Sequence, residues 1–340
     1  MTGFVCSYGN DVASGGKRHP LRPTRSGAVF PAGRYTRAVS VEYRSVGRRA
    51  GIGIKVGLSL AIVLTACQSD HQGDEPSRAT SSAPTSAGRV DVGGYELDWI
   101  CRGSGSPTIV AEAGYNSAGT STYFDLMESL SEISRVCTYD RAGTGTSDHR
   151  PDGMHVTSEL QARELHDLLE GASISPPYVV VAHSYGGFVG RLFAATYPRE
   201  TAGLVLIDSS HEDEIEPYRR YYGNAPAGDW VDGGDLIDID ATRRALRATA
   251  RDYGEMPLAV VKAGRYEDVL TVSLWDRTQA DLATLSTNAV LVQAAGGHFV
   301  MNDDPKVLLA AVRAVVASAR SGDLLPTCRD LVAGTDGLCP

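Results

Sequence analysis

The segment Ala182-His183-Ser184-Tyr185-Gly186-Gly187 sets a serine directly after the apolar run Tyr178–His183 and ahead of the helical stretch Phe188–Tyr197. A chain that turns so sharply from strand to helix strains the serine backbone and lifts the hydroxyl clear of the sheet. It also demands small residues two before and two after, which Ala182 and Gly186 provide. Gly187 and Gly190 are expected to let that helix pack closely on the sheet. A serine hydroxyl is a weak nucleophile at neutral pH and needs a base. His298, in AAGGHFVMNDDP, follows the last apolar run and precedes the last helical one. Its Nε2 can take the serine proton and return it to a leaving group, the chemistry of two-step acyl transfer. An oxyanion hole for that reaction needs two backbone N–H groups. Tyr185, the residue after the nucleophile, supplies one, and Tyr115, in the turn after TIVAEAG, supplies the other. His183 is expected to point sideways as a structural residue. His71, His149, His155, His166 and His211 have no comparable setting.

The elements that must position these groups alternate between short apolar strands and amphipathic helices from Arg89 onward, a pattern for a mostly parallel sheet with helices on both faces. RVDV (Arg89–Val92) and YELDWIC (Tyr95–Cys101) flank Gly93-Gly94 as a hairpin. Further strands are expected at Thr108–Gly114, Arg135–Asp140, Tyr178–His183, Gly203–Asp208, Pro257–Gly264 and Ala289–Ala295. Helices are expected at Phe124–Ile133, Ser158–Glu170, Phe188–Tyr197, Leu274–Leu285 and Val307–Ala319. Between His211 and Glu255 the alternation breaks into a polar, acidic and aromatic stretch too long for an ordinary loop, which reads as an inserted cap. Tyr218, Tyr221, Tyr222 and Trp230 in that insert would shape the substrate pocket. Its acidic run HEDEIE (His211–Glu216) reads as a solvated cap surface rather than a metal site.

Five segments fall in the order found in one family: EAG (Glu112–Gly114), YDRAGTGTSD (Tyr139–Asp148), AHSYGG (Ala182–Gly187), LVLID (Leu204–Asp208) and GGHF (Gly296–Phe299). On these, the stretch from Arg89 to about Arg320 resembles the α/β-hydrolase superfamily. The resemblance implies an eight-stranded, mostly parallel sheet with a small cap insertion. In look-alike hydrolases the loop carrying Asp140 and Arg141 braces the active-site edge without doing chemistry. The superfamily usually places the triad acid after the seventh strand, where Glu267, Asp268 and Asp276 are available. A subgroup resembling certain haloalkane dehalogenases places it at the end of the sixth strand instead, where Asp208 stands. Asp208 is the preferred acid, Asp268 the main alternative, and Glu212, Asp213 and Asp276 stay open. Epoxide hydrolases and haloalkane dehalogenases resemble this fold but use an Asp nucleophile, so Ser184 argues against both.

The N-terminus has a different character. Arg48-Arg49 precedes the apolar stretch Gly51–Ala66, which is too short for a confident membrane span and ends in Leu64-Thr65-Ala66-Cys67. This resembles a bacterial lipoprotein signal, with Cys67 as the lipidated residue and residues 1–66 as leader. Residues 67–88, rich in Ser, Pro, Thr, Gly and Ala, read as a flexible tether; 89–320 form the hydrolase-like domain, and 321–340 a C-terminal tail. Four cysteines remain for disulfides in an exported chain: Cys328 with Cys339, closing a short loop, and Cys101 with Cys137, on strands that should be neighbours. The expected location is the cell envelope, facing the extracytoplasmic side, with the membrane met only through the lipid anchor.

The 340 residues are 42% hydrophobic and 21% charged, enough for a sizeable core. The net charge of −9 argues against a nucleic-acid partner. No C-x-x-C, H-E-x-x-H or phosphate-cradling glycine loop occurs, so neither metal nor cofactor is expected. The functional expectation is a serine hydrolase acting on small carboxylic esters. The alternatives are an aminopeptidase of the proline-iminopeptidase type, a haloperoxidase-like activity on the same triad, or a non-catalytic binding protein.

Overall fold

A computed structural model describes residues 85–217, 230–266 and 269–340. Eight strands form one sheet: β1 (Thr85–Asp91), β2 (Glu96–Arg102), β3 (Thr108–Glu112), β4 (Val136–Tyr139), β5 (Tyr178–His183), β6 (Thr201–Ile207), β9 (Leu258–Lys262) and β10 (Ala289–Gln293). Their spatial order is β1-β2-β4-β3-β5-β6-β9-β10. β2 runs antiparallel to both neighbours, and the strands from β4 to β10 are parallel. β7 (Val231–Asp232) and β8 (Asp235–Leu236) make a separate hairpin inside the insert.

Every side chain of β3, β5 and β9 is buried, as expected of parallel strands covered on both faces. Period-two alternation divides them between two cores. Val180, Ala182, Leu204 and Leu206 face one core with Leu165 and Leu168 of α3 (Ser158–Gly171) and Phe188 and Leu192 of α4 (Gly186–Thr196). Val179, Val181, Val205 and Ile207 face the other with Leu308, Val312 and Val315 of α8 (Pro305–Ser321). The helix boundaries follow local chemistry. The Thr157 hydroxyl accepts from the Leu160 N–H to start α3. Asp304 with Pro305 starts α8, and Gly322 ends it in the left-handed region.

Several expectations need correction. β1 begins at Thr85, so residues 85–88, read as tether, pair with Trp99 to Arg102. Their small side chains suit an edge strand, which needs only one covered face. The single helix expected over Phe124–Ile133 is a 3-10 turn at Phe124–Leu126 followed by the short α2 (Met127–Ser131), and α1 (Gly119–Thr122) precedes them. The C-terminal segment is more than a tail: α9 (Cys328–Val332) packs there, and Leu338 exchanges backbone hydrogen bonds of 2.9 and 2.8 Å with Gln293 at the free edge of β10. The remaining helices are α5 (Ile239–Thr249), α6 (Val269–Leu282) and α7 (Val300–Asp303).

Cys101 is bonded to Cys137, which lies directly opposite it in the β2–β4 register, and Cys328 is bonded to Cys339. Cys67 lies outside the described residues. Among the described residues no helix is long and apolar enough to cross a membrane.

Candidate active site

Ser184 occupies the turn from β5 into α4 with a positive φ of 52°, a strained conformation for a non-glycine residue. Gly186 makes the turn possible, since a Cβ there would come within 2.4 Å of the Ala113 carbonyl oxygen. Gly190 lets the helix lie on the sheet, since a Cβ there would sit 2.9 Å from the Cβ of Ala182. The hydroxyl of Ser184 is 2.9 Å from Nε2 of His298, and Nδ1 of His298 is 2.6 Å from Oδ2 of Asp208. Three residues that lie far apart in the chain thus form one continuous hydrogen-bonded line.

Asp208 follows β6, itself at a positive φ of 41°, and is fully buried. Its Oδ1 accepts from the Ala263 N–H at 2.8 Å, from the Trp275 indole at 2.9 Å and from the Tyr266 hydroxyl. These donors fix the carboxylate so that Oδ2 is presented to the histidine. Burial and the Asp208 charge together push the Tyr266 phenol far up, keeping it a donor. Tyr266 and Trp275 escaped the sequence reading because their partner is reached only through the fold. The other candidate acids are engaged elsewhere: Glu212 with Arg191, Asp213 with Arg247, and Asp276 with Lys262. Glu267 and Asp268 lie outside the described residues, as do Tyr218, Tyr221 and Tyr222.

His183, read as structural, is buried and has a positioning contact. Its Nε2 lies 2.9 Å from the backbone carbonyl of His298. Burial and the neighbouring His298 hold His183 down at about 4, so its neutral ring donates to that carbonyl and steadies the loop carrying His298.

Tyr185 opens α4, and the Gly114–Tyr115 turn lies over the serine: a Cβ on Gly114 would be 3.3 Å from Cβ of Ser184. The turn is gripped from behind. Arg141, fully buried, donates to the carbonyls of Ala113 and Gly114 at 2.8 and 2.6 Å, to Glu112, and twice to Asp232 at 2.7 and 2.9 Å. Asp232 in turn accepts from the Asn116 N–H at 2.7 Å. One guanidinium therefore ties the β7–β8 hairpin of the insert to the strand end and the turn beside Ser184. Asp140 braces the same edge by accepting from Thr120 and Thr146.

A cavity of about 500 Å³ opens over Ser184 and His298, with Tyr115, Trp230, Trp275 and Glu214 among its walls. HEDEIE is not the solvated surface expected of it. His211, Glu212 and Glu214 are buried. Burial would raise the Glu212 carboxyl, but the Arg191 guanidinium, 2.7 Å away, overrides that and holds it at about 2. The run looks solvated in sequence because its counter-charge lies on another helix. Among the described residues the group with metal-ligand spacing is His166, Asp167 and Glu170 on α3, and it shares no residue with the serine site.

The model of the α/β-hydrolase fold family matches residues 107–227. A putative lipase from Acinetobacter baumannii is similar in structure, with a TM-score of 0.51 at 15% identity over 70% of this chain and 93% of that one. With the sheet order above, these define an α/β-hydrolase fold, and the family's own model is matched by residues 107–227 of this chain. Among sequence relatives, the uncharacterized protein YqjL of Bacillus subtilis is 29% identical over 224 residues, 64% of this chain and 87% of that protein. An AB hydrolase superfamily protein of Gibberella zeae is 33% identical over 201 residues, 55% of this chain and 62% of that protein.

Proposed function

We propose that the protein is a serine hydrolase that cleaves carboxylic esters through an acyl-enzyme. Ser184 attacks the ester carbonyl while His298 takes its proton, and Asp208 orients and stabilises the imidazolium. The backbone N–H groups of Tyr185 and Tyr115 receive the oxyanion, each such donor being worth about 3 kcal/mol in the transition state. Water activated by His298 then releases the acid. The observation that carries this reading is the unbroken Ser184–His298–Asp208 line, at 2.9 and 2.6 Å, opening on a cavity. The relatives whose names specify a hydrolase agree with it.

The acidic insert does not favour an aminopeptidase. Such an enzyme needs an ionised carboxylate to hold the substrate's amine, whereas Glu212 is committed to Arg191 and burial raises Glu214 to about 8. The two disulfides and the Leu64–Cys67 sequence support an extracytoplasmic enzyme tethered through Cys67. Intact-mass analysis after treatment with a fluorophosphonate tests the reading. One label per chain, lost in Ser184→Ala and in His298→Ala, is expected; an unlabelled, folded wild type would return the chain to the binding-protein class.

A further inference from the structure

Acyl transfer by Ser184, His298 and Asp208 gives no task to Glu214, although Glu214 forms part of the cavity wall over that serine. Its side chain is 1% exposed. The carboxyl faces the backbone N–H of His211 and the hydroxyl of Ser210, while Oε2 has no hydrogen-bond partner. A buried polar atom left unpaired costs free energy that a partner can recover. The walls nearby are largely aromatic, from Trp230 and Trp275. Burial, with the Asp208 and Glu212 charges adding to it, raises the carboxyl to about 8, so at neutral pH it is an O–H donor in an apolar pocket.

We propose that Glu214 determines specificity: Oε2 binds an oxygen of the substrate outside the scissile carbonyl, so oxygenated esters (hydroxy-, keto- or alkoxy-substituted) are taken in preference to plain alkyl esters of the same length. This rests on the ester-hydrolase reading above. A plain alkyl chain leaves the donor unpaired, and a substrate oxygen satisfies it. Sites built to bond a substrate hydroxyl discriminate sharply against the analogue that lacks it. A protonated carboxyl offers no charge to an ammonium group, so amino-substituted esters gain nothing.

The test compares kcat/KM for matched ester pairs on the full chain: p-nitrophenyl butyrate with its β-hydroxy and β-amino analogues, and n-butyl with methoxyethyl butyrate. Wild type is expected to favour the oxygenated member of at least one pair by about tenfold or more. Glu214→Gln, whose amide N–H still donates, is expected to keep that preference, and Glu214→Leu to erase it. Fluorophosphonate labelling of each variant reports whether the serine site is intact. If the Leu variant does not fold, the wild-type and Gln preferences still decide. No preference in wild type, an unchanged preference in a labelled Leu variant, or a preference for the amino ester that is lost in Glu214→Gln would each overturn the proposal. Plain-ester hydrolysis and labelling that persist in wild type would show that the ester reading survives this failure. Loss of both overturns the two together.

Discussion

The sheet edge and the insert build one site by opposite means. At the edge, Ser184 and Asp208 are carried by neighbouring strands, β5 and β6, whose packing is almost wholly apolar. In the insert, the chain is held by buried charges. Arg141 reaches Asp232, Arg191 reaches Glu212, and Arg150 reaches Asp235 at 2.8 Å. Apolar burial is non-directional and needs only the right pattern along the chain. Buried ion pairs demand particular partners, because removing one leaves an uncompensated charge. The edge therefore fixes where Ser184 and Asp208 stand, and the insert contributes Glu214 and Trp230 to the walls of the cavity over Ser184.

The comparison breaks most severely at the edge. Ser184→Ala or His298→Ala is expected to remove turnover almost completely without unfolding the chain. Asp208→Asn is expected to lower kcat by about 10⁴-fold, with circular dichroism near that of wild type. In the insert the signature reverses. Arg141→Met leaves Glu112 and Asp232 buried without their cation and is expected to cost about 3–5 kcal/mol in urea unfolding, with loss of activity following from the displaced turn.

His183 sharpens the contrast because it is an edge residue whose effect is on stability. Its folded-state value of about 4 lies below the ordinary histidine value of 6.5. Between those values the unfolded chain binds more protons than the folded one, so stability falls as pH drops from about 6.5 to about 4. The loss is at most about 3 kcal/mol, and His183→Gln is expected to flatten that limb of a pH–stability profile. The smallest effect is expected on the outside of the insert. Arg247 and Asp213 are 2.5 Å apart but both half-exposed, and Arg247→Ala is expected to change the unfolding free energy by less than about 1 kcal/mol.

The same division explains what the sequence discloses. The continuous run Tyr178–His183, the small residues around Ser184 and the position of His298 after the last strand are local signals, and the structure places the two side chains within hydrogen-bonding distance. Asp208 is preferred in the sequence because it ends the sixth strand, but Asp268, Glu212, Asp213 and Asp276 stay open beside it; the fold shows Asp208 facing His298. HEDEIE misled for a related reason. A run of charges reads as solvated unless its partners are known, and Arg191 is 21 residues away. The tether boundary failed because residues 85–88 carry little apolar surface, and their strand is defined by backbone pairing with β2. Tyr266, Trp275 and Asp232 left no local signal at all. Each contributes through contacts made across more than 50 residues.

The central claim is that Ser184 carries the acyl group during turnover. The protein would be mixed with p-nitrophenyl acetate, quenched in acid during turnover, digested and analysed by mass spectrometry. An acetyl group on the peptide containing Ser184, absent in Ser184→Ala along with p-nitrophenol release, is the predicted result. Undiminished p-nitrophenol release by Ser184→Ala, with no acetylated serine in wild type, would contradict it.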